Sequence, residues 1–204
     1  MRRCGVEVAD TLHITSWDAD HCNACELAEL LDLINPAKIE CPGYEPYSDS
    51  ARKCLETIEQ YHFRRRLSNR RTEIRPITPE YMSSLAPAED LAFRDTFYNP
   101  RWIDPNCANN NSTVKHFRAG SFNVLSLGDV EDHRISARLR RQRILKEQWD
   151  VMILAHHGAD NGFTNKDFLA RLRPKLAICS ADYANQYDHP RQEIRDICLS
   201  MGSV

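Results

Sequence analysis

Three apolar pulses dominate the second half of the chain: SFNVLSLGD (121–129), WDVMILAHHGAD (149–160) and PKLAICSAD (174–182), with helix-period patterns between them at 134–148 and 165–172. Short apolar runs closed by Gly, Pro or Asp read as strands, and the 3.6-residue periods read as amphipathic helices. Strand–helix–strand alternation at this spacing confines the chain to a layered α/β fold. The first half continues the pattern. A strand at 12–16 precedes a helix over Ala24–Ile34, with Leu27, Leu30, Leu31 and Ile34 on one stripe and Asn35-Pro36 as its stop. A strand at 38–41, the loop PGYEPYSDS and a helix at 51–66 follow. Prolines at 76, 79, 87, 100 and 105 and the run NCANNNS make 76–112 a loop-rich insert with room for one short helix, suited to walling a pocket. No internal repeat or low-complexity tract interrupts the 204 residues, which read as a single domain over 1–204.

Charge and cysteine usage narrow the class. A net charge of −2 gives no global attraction to a polyanion or a membrane, and no apolar run is long enough to span a bilayer. Charge is concentrated locally: HFRRRLSNRRTEIR (62–75) carries six arginines, and RISARLRRQRILK (134–146) alternates basic and apolar residues at helical spacing. Each is either a solvated face or a docking surface for a polyanion. Eight cysteines are scattered, and without an export signal they are expected as free thiols in a reducing, cytoplasmic setting. Cys22 and Cys25 form the one close pair; with no second CxxC or HxxxH they are expected in the first turns of a helix, not in a closed zinc knuckle.

Ligand-type side chains collect where the strands end. The stretch ITSWDADHCN crowds Asp18, Asp20 and His21 behind the first strand, although carboxylates at i and i+2 repel and gain nothing from helical spacing. Either Asp18 or Asp20 caps a helix starting near Cys22, or the cluster holds something positive. The later strands end in Gly128-Asp129, in His156, His157 and Asp160, and in Asp182, Asp188 and His189. In α/β sheets, sites form at strand ends, where loops from several elements converge. A cation neutralises such carboxylates.

The order of these motifs, SWDADH (16–21), NNNS (109–112), LGDVED (127–132), AHHGADNGF (155–163) and NQYDHP (185–190), resembles the metallo-β-lactamase fold and is most similar to its ComEC-like metallo-hydrolase family. The resemblance implies an αββα sandwich. It assigns Asp18 to one metal, Asp20 and His21 to a second, Asp129 as the bridging carboxylate, and at least one of His156 and His157 as a ligand. It places His189 against the substrate or in the metal shell, and gives Asn110 and Ser112 a supporting, substrate-side role. Asp20, Asp129 and His189 are then the residues closest to the chemistry. Mixed imidazole and carboxylate ligands suit one or two Zn2+ ions, with Mn2+ as the other candidate.

Two features depart from the family pattern. Ser16 stands where the motif usually opens with His, and serine is a poor metal ligand. Residues 1–13 also leave little room for the strands that normally precede the Asp-x-Asp-His loop, so the domain reads as N-terminally incomplete, or completed by a partner chain or dimer. Three functions follow. The first is metal-dependent phosphodiester hydrolysis of nucleic acid or nucleotide, with Lys166 or an arginine of 64–75 or 138–143 as phosphate contact. The others are hydrolysis of a small ester, lactone, thioester or phosphorylcholine ester, and a degenerate, non-catalytic interaction domain.

Overall fold

The computed structural model describes residues 8–85, 95–142, 145 and 149–202; parts of the expected 76–112 insert and of the 134–148 helix lie outside the described residues. The protein is a mixed α/β structure with two sheets and, among the described residues, six α-helices. It divides into two units, Met1–Thr78 and Pro79–Val204.

The first unit is a β-α-β-α-β run. Strands β1 (Thr11–His13), β2 (Lys38–Pro42) and β3 (Glu73–Ile77) form a parallel sheet in that order, joined by helices α1 (Ala24–Ile34) and α2 (Asp49–Leu67). Helix α1 begins at Asn23, whose side chain accepts from the Cys25 and Glu26 N–H groups, and ends at Asn35 in the left-handed region (φ 48°). Neither Asp18 nor Asp20 is the cap. Asn23 occupies the extended conformation a cap needs and satisfies two N–H groups of the first turn. Cys22 accordingly lies before the helix, buried, its carbonyl accepting from the Cys54 thiol; Cys25 alone is in the first turn. Leu27, Leu31 and Ile34 are buried as expected, while Leu30 faces outward. Helix α2 starts at the Ser48 cap and buries Ala51, Cys54, Ile58 and Tyr61, and these pack with Leu31, Ile39 and Trp17 in the unit's core.

The second unit holds a five-stranded mixed sheet in the order β4 (Thr96–Asn99), β5 (Val114–Ala119), β6 (Phe122–Ser126), β7 (Val151–Ile153) and β8 (Leu176–Ile178). The first three strands pair antiparallel; β6, β7 and β8 run parallel. Helices α4 (His133–Arg141) and α5 (Lys166–Leu172) connect the parallel strands, α6 (Gln192–Ser200) follows them, and α3 (Pro79–Ser84) opens the unit. Leu125, Leu127, Met152, Phe163, Phe168, Leu169 and Trp149 form its core. Parallel strands deliver their C-terminal ends to one edge of the sheet, which collects the 127–132, 154–160 and 179–190 loops there.

Three strands depart from the reading of the sequence. β1 is Thr11–His13, shorter and earlier than 12–16. β3, expected as part of a basic stretch running into loop, is a strand despite Arg75 and Pro76, because Glu73–Ile77 is paired on the β2 side. β5 was hidden by Lys115 and His116, which are fully buried; Lys115 is neutralised by Asp95 at 2.9 Å. The arginine runs are also not uniform solvated faces. Arg64 pairs with Asp32, Arg65 donates to Asn35, and Arg140 pairs with Asp167.

Candidate metal centre

In the second unit the chain turns sharply at the end of β7. His156 (φ 46°) and His157 (φ 53°) are consecutive residues in the left-handed region, a conformation L residues adopt only when their surroundings enforce it. The enforcement is visible. The His156 N–H donates to the Gly128 carbonyl (3.0 Å), tying this turn to the loop after β6. The His157 carbonyl accepts from the Cys179 thiol (2.8 Å), and His157 Nδ1 lies 2.6 Å from the Ser180 carbonyl oxygen. A carbonyl can only accept, so Nδ1 carries the proton and Nε2 faces away from it.

Nε2 of His157 lies 3.5 Å from Oδ1 of Asp129, a carboxylate that is itself buried. With Nδ1 protonated, a neutral His157 presents a lone pair to a carboxylate oxygen. A proton or a metal ion between two acceptors at that separation would serve both. A backbone carbonyl fixing one imidazole nitrogen while the other faces a carboxylate is the outer-shell arrangement of a ligating histidine. The donor set therefore fits a cation.

Two further imidazoles surround this pair. The His189 ring lies 6.5 Å from His157, nearly parallel to it, and 6.0 Å from His156; Tyr187 stacks on its far side at 5.8 Å. Burial and the neighbouring His156, His157 and Arg191 hold the His189 imidazole below its usual pKa, with Asp129 opposing. Its Nδ1 is buried and makes no hydrogen bond among the described residues. His156 turns instead toward Glu131, with Nδ1 3.1 Å from Oε2. Glu131 also takes the Cys107 thiol and the Asn109 amide. Its role was not expected, although it lies inside the LGDVED motif. An acidic residue two positions from a candidate ligand is a usable signal for an outer-shell partner.

Asn110 braces the loop that carries Asp129. Its Oδ1 accepts from the Glu131 N–H (3.2 Å) and the Asp132 N–H (3.0 Å), and Asp132 caps α4. Ser112 is fully buried, its carbonyl accepting from Asn99. Asp182 and Asp188 shape their own loop: Asp182 Oδ1 accepts from the Tyr183 N–H, and Asp188 pairs with Arg191 at 3.8 Å. Asp160 is exposed.

In the first unit the 14–23 loop follows β1. Asp20 and His21 present a carboxylate oxygen and an imidazole nitrogen within 4.8 Å of each other, as Asp129 and His157 do in the second unit. His21 Nδ1 lies 3.0 Å from Thr15 Oγ1. Both pairs are of a kind that could hold a metal ion. Asp18 is differently engaged: Ser16, fully buried, donates its hydroxyl to Asp18 Oδ2 at 2.5 Å and lies 3.2 Å from the Tyr44 hydroxyl. Ser16 thus holds Asp18 in place. Among the described residues, no helix is long and apolar enough to cross a membrane.

No protein-family model matches the chain. It is 27% identical over 195 residues to the ComE operon protein 3 of Bacillus subtilis (strain 168), an alignment covering 93% of this chain and 22% of that protein. The chain thus spans less than a quarter of the relative it matches. That similarity, carried over nearly its whole length, relates this chain to one segment of the ComE operon protein.

Proposed function

We propose that this chain is a metal-dependent hydrolase of phosphodiester bonds in nucleic acid or nucleotides, built on a metallo-β-lactamase-type fold. The observation that carries the reading is His157 Nε2 aimed at the buried Asp129 carboxylate with its Nδ1 proton committed to Ser180. The motif order and the relative's similarity support it.

The ligands in this reading are Asp129 and His157 in the second unit; Asp20 and His21 are the candidate pair of the first unit. The Ser16 hydroxyl on Asp18 favours one ion over two, because that carboxylate oxygen already accepts a short hydrogen bond. A bound zinc or manganese ion supplies a water acidic enough to act as hydroxide near neutral pH and a positive charge for a phosphoryl oxygen. The chain's own groups do the rest. Asp129, excluded from bulk water, orients the attacking water as an acceptor. His189, its ring beside those of His156 and His157, is the group set against the substrate in this reading. Glu131 keeps His156 aligned, and Asn110 holds the backbone of the Asp129 loop.

Elemental analysis of protein purified without chelators, followed by cleavage of single-stranded DNA and bis-p-nitrophenyl phosphate, tests the reading. About one equivalent of transition metal is expected, with cleavage abolished by EDTA and restored by zinc or manganese. Asp129→Asn is expected to lose both metal and activity. Cleavage by Asp129→Asn at the wild-type rate, or insensitivity to EDTA, overturns the assignment. Hydrolysis confined to p-nitrophenyl carboxylic esters points to the small-ester chemistry, and a metal-free, inert protein points to an interaction domain.

A further inference from the structure

In the second unit, Trp102 is 48% exposed, whereas Trp17 and Trp149 are each only 1% exposed. An exposed indole is ordinarily a free rotor, but this one is backed. The Arg138 guanidinium carbon lies 4.7 Å from its ring centroid, and the guanidinium is anchored by Asn99 Oδ1 (2.8 Å) and the Tyr98 carbonyl (3.4 Å). Arg138 Nη1 is buried and makes no hydrogen bond among the described residues. One indole face is thereby fixed, and exposed ring surface remains.

The segment carrying Trp102 is bonded to the candidate centre. The Asp104 N–H donates to Asn111 Oδ1 (2.6 Å), and Asn110 Nδ2 donates to Asp104 Oδ2 (3.3 Å). The same Asn110 side chain accepts from Glu131 and Asp132, and Glu131 reaches His156. Trp102 is therefore held on a braced loop that shares its hydrogen bonds with the loop of Asp129.

The surrounding charge selects what can stack there. A cation already on one face draws electron density from the ring, so the other face suits a neutral aromatic ring better than a second cation. Arg101 is exposed and close to Arg138: burial and the Arg101 charge together hold Arg138 down to about 10. The Arg138 and Arg101 guanidinium charges disfavour a quaternary ammonium head and favour an anion carrying an aromatic ring.

We propose that Trp102 is a stacking platform for a nucleobase of the substrate, with Arg101 beside it to meet the adjoining phosphate. This rests on the phosphodiesterase reading and narrows it, selecting nucleotidyl substrates over small aliphatic or choline esters.

Because the other two tryptophans are buried, acrylamide quenching of intrinsic fluorescence reports Trp102. In the presence of EDTA, thymidine 5′-monophosphate is expected to protect Trp102 from acrylamide. By calorimetry, 2-deoxyribose 5-phosphate and phosphorylcholine should bind at least about tenfold more weakly, and Trp102→Leu should weaken the nucleotide about tenfold while Trp102→Phe retains most of it. Far-UV circular dichroism checks that each variant is folded; should Trp102→Leu fail to fold, the protection experiment and Trp102→Phe decide. Equal binding of the base-free phosphate, or nucleotide binding unaffected in Trp102→Leu, overturns the platform. Metal-dependent hydrolysis without any base-dependent binding overturns this inference alone. Base-dependent binding without hydrolysis under any metal overturns the enzymatic reading and supports the platform.

Discussion

Lowering the pH should destabilise this protein through His116 before its carboxylates titrate. His116 is fully buried on β5, edge to face with Trp149 at 4.3 Å. Arg118 Nε donates to its Nδ1 (3.2 Å), and a guanidinium can only donate, so the ring proton sits on Nε2, 2.9 Å from Asn123 Oδ1. Adding a second proton would charge a ring out of contact with water and set it against Arg118. Burial, followed by the Arg118 charge, outweighs Asn123 and Asp95 and pushes His116 from 6.5 down to about 4. The sign follows from proton counting. Between those values the unfolded chain binds the proton and the folded chain does not, so stability falls as pH falls and is unaffected above about 6.5. Over an interval of about two and a half pH units, at about 1.4 kcal/mol each, the loss reaches roughly 3 kcal/mol near pH 4. The assay is urea unfolding at pH 7, 6, 5 and 4.5, followed by tryptophan fluorescence, for wild type and His116→Phe. The phenyl ring keeps the Trp149 contact but cannot titrate. Its baseline is lower, because Asn123 and Arg118 each lose a partner, yet its stability should fall more gently with acid. Parallel curves for the two proteins, or an imidazole NMR titration of His116 centred near 6.5, would refute the reasoning.

Two other perturbations probe the frame of the candidate centre. Gly158 has φ +79°, and a Cβ there would lie 2.6 Å from Pro190 Cβ and 3.1 Å from its Cα, beside His189. Gly158→Ala should cost about 2–4 kcal/mol in chemical denaturation and weaken metal binding by moving the 188–190 loop, and a change under about 0.5 kcal/mol would contradict the close approach. Asn110→Ala leaves the Glu131 and Asp132 N–H groups without their acceptor and should cost about 1–3 kcal/mol, with Asn110→Asp between Asn110→Ala and wild type, because it keeps the acceptor but sets a carboxylate against Asp104. Thermal unfolding of the three proteins reads that order directly.

Patterning made α1 legible to the residue, Ala24–Ile34, and located β6, β7 and β8 within their apolar pulses, because hydrophobic period and helix-stop chemistry are local properties. It also put Asp129, His156, His157 and His189 in strand-end loops, since parallel strands joined by helices must carry those loops to one edge. Local pattern failed where polar residues are buried against distant partners. Lys115 and His116 look like surface residues until Asp95, Asn123 and Arg118 are brought to them, and Glu73–Ile77 is a strand because β2 lies alongside. The same limit separated the two adjacent histidines. Nothing in HHG distinguishes them, yet Ser180 turns one toward Asp129 and Glu131 takes the other, 23 and 25 positions away in sequence. Side-chain type is written in the chain; side-chain direction is set by hydrogen-bond partners that only folding brings within reach.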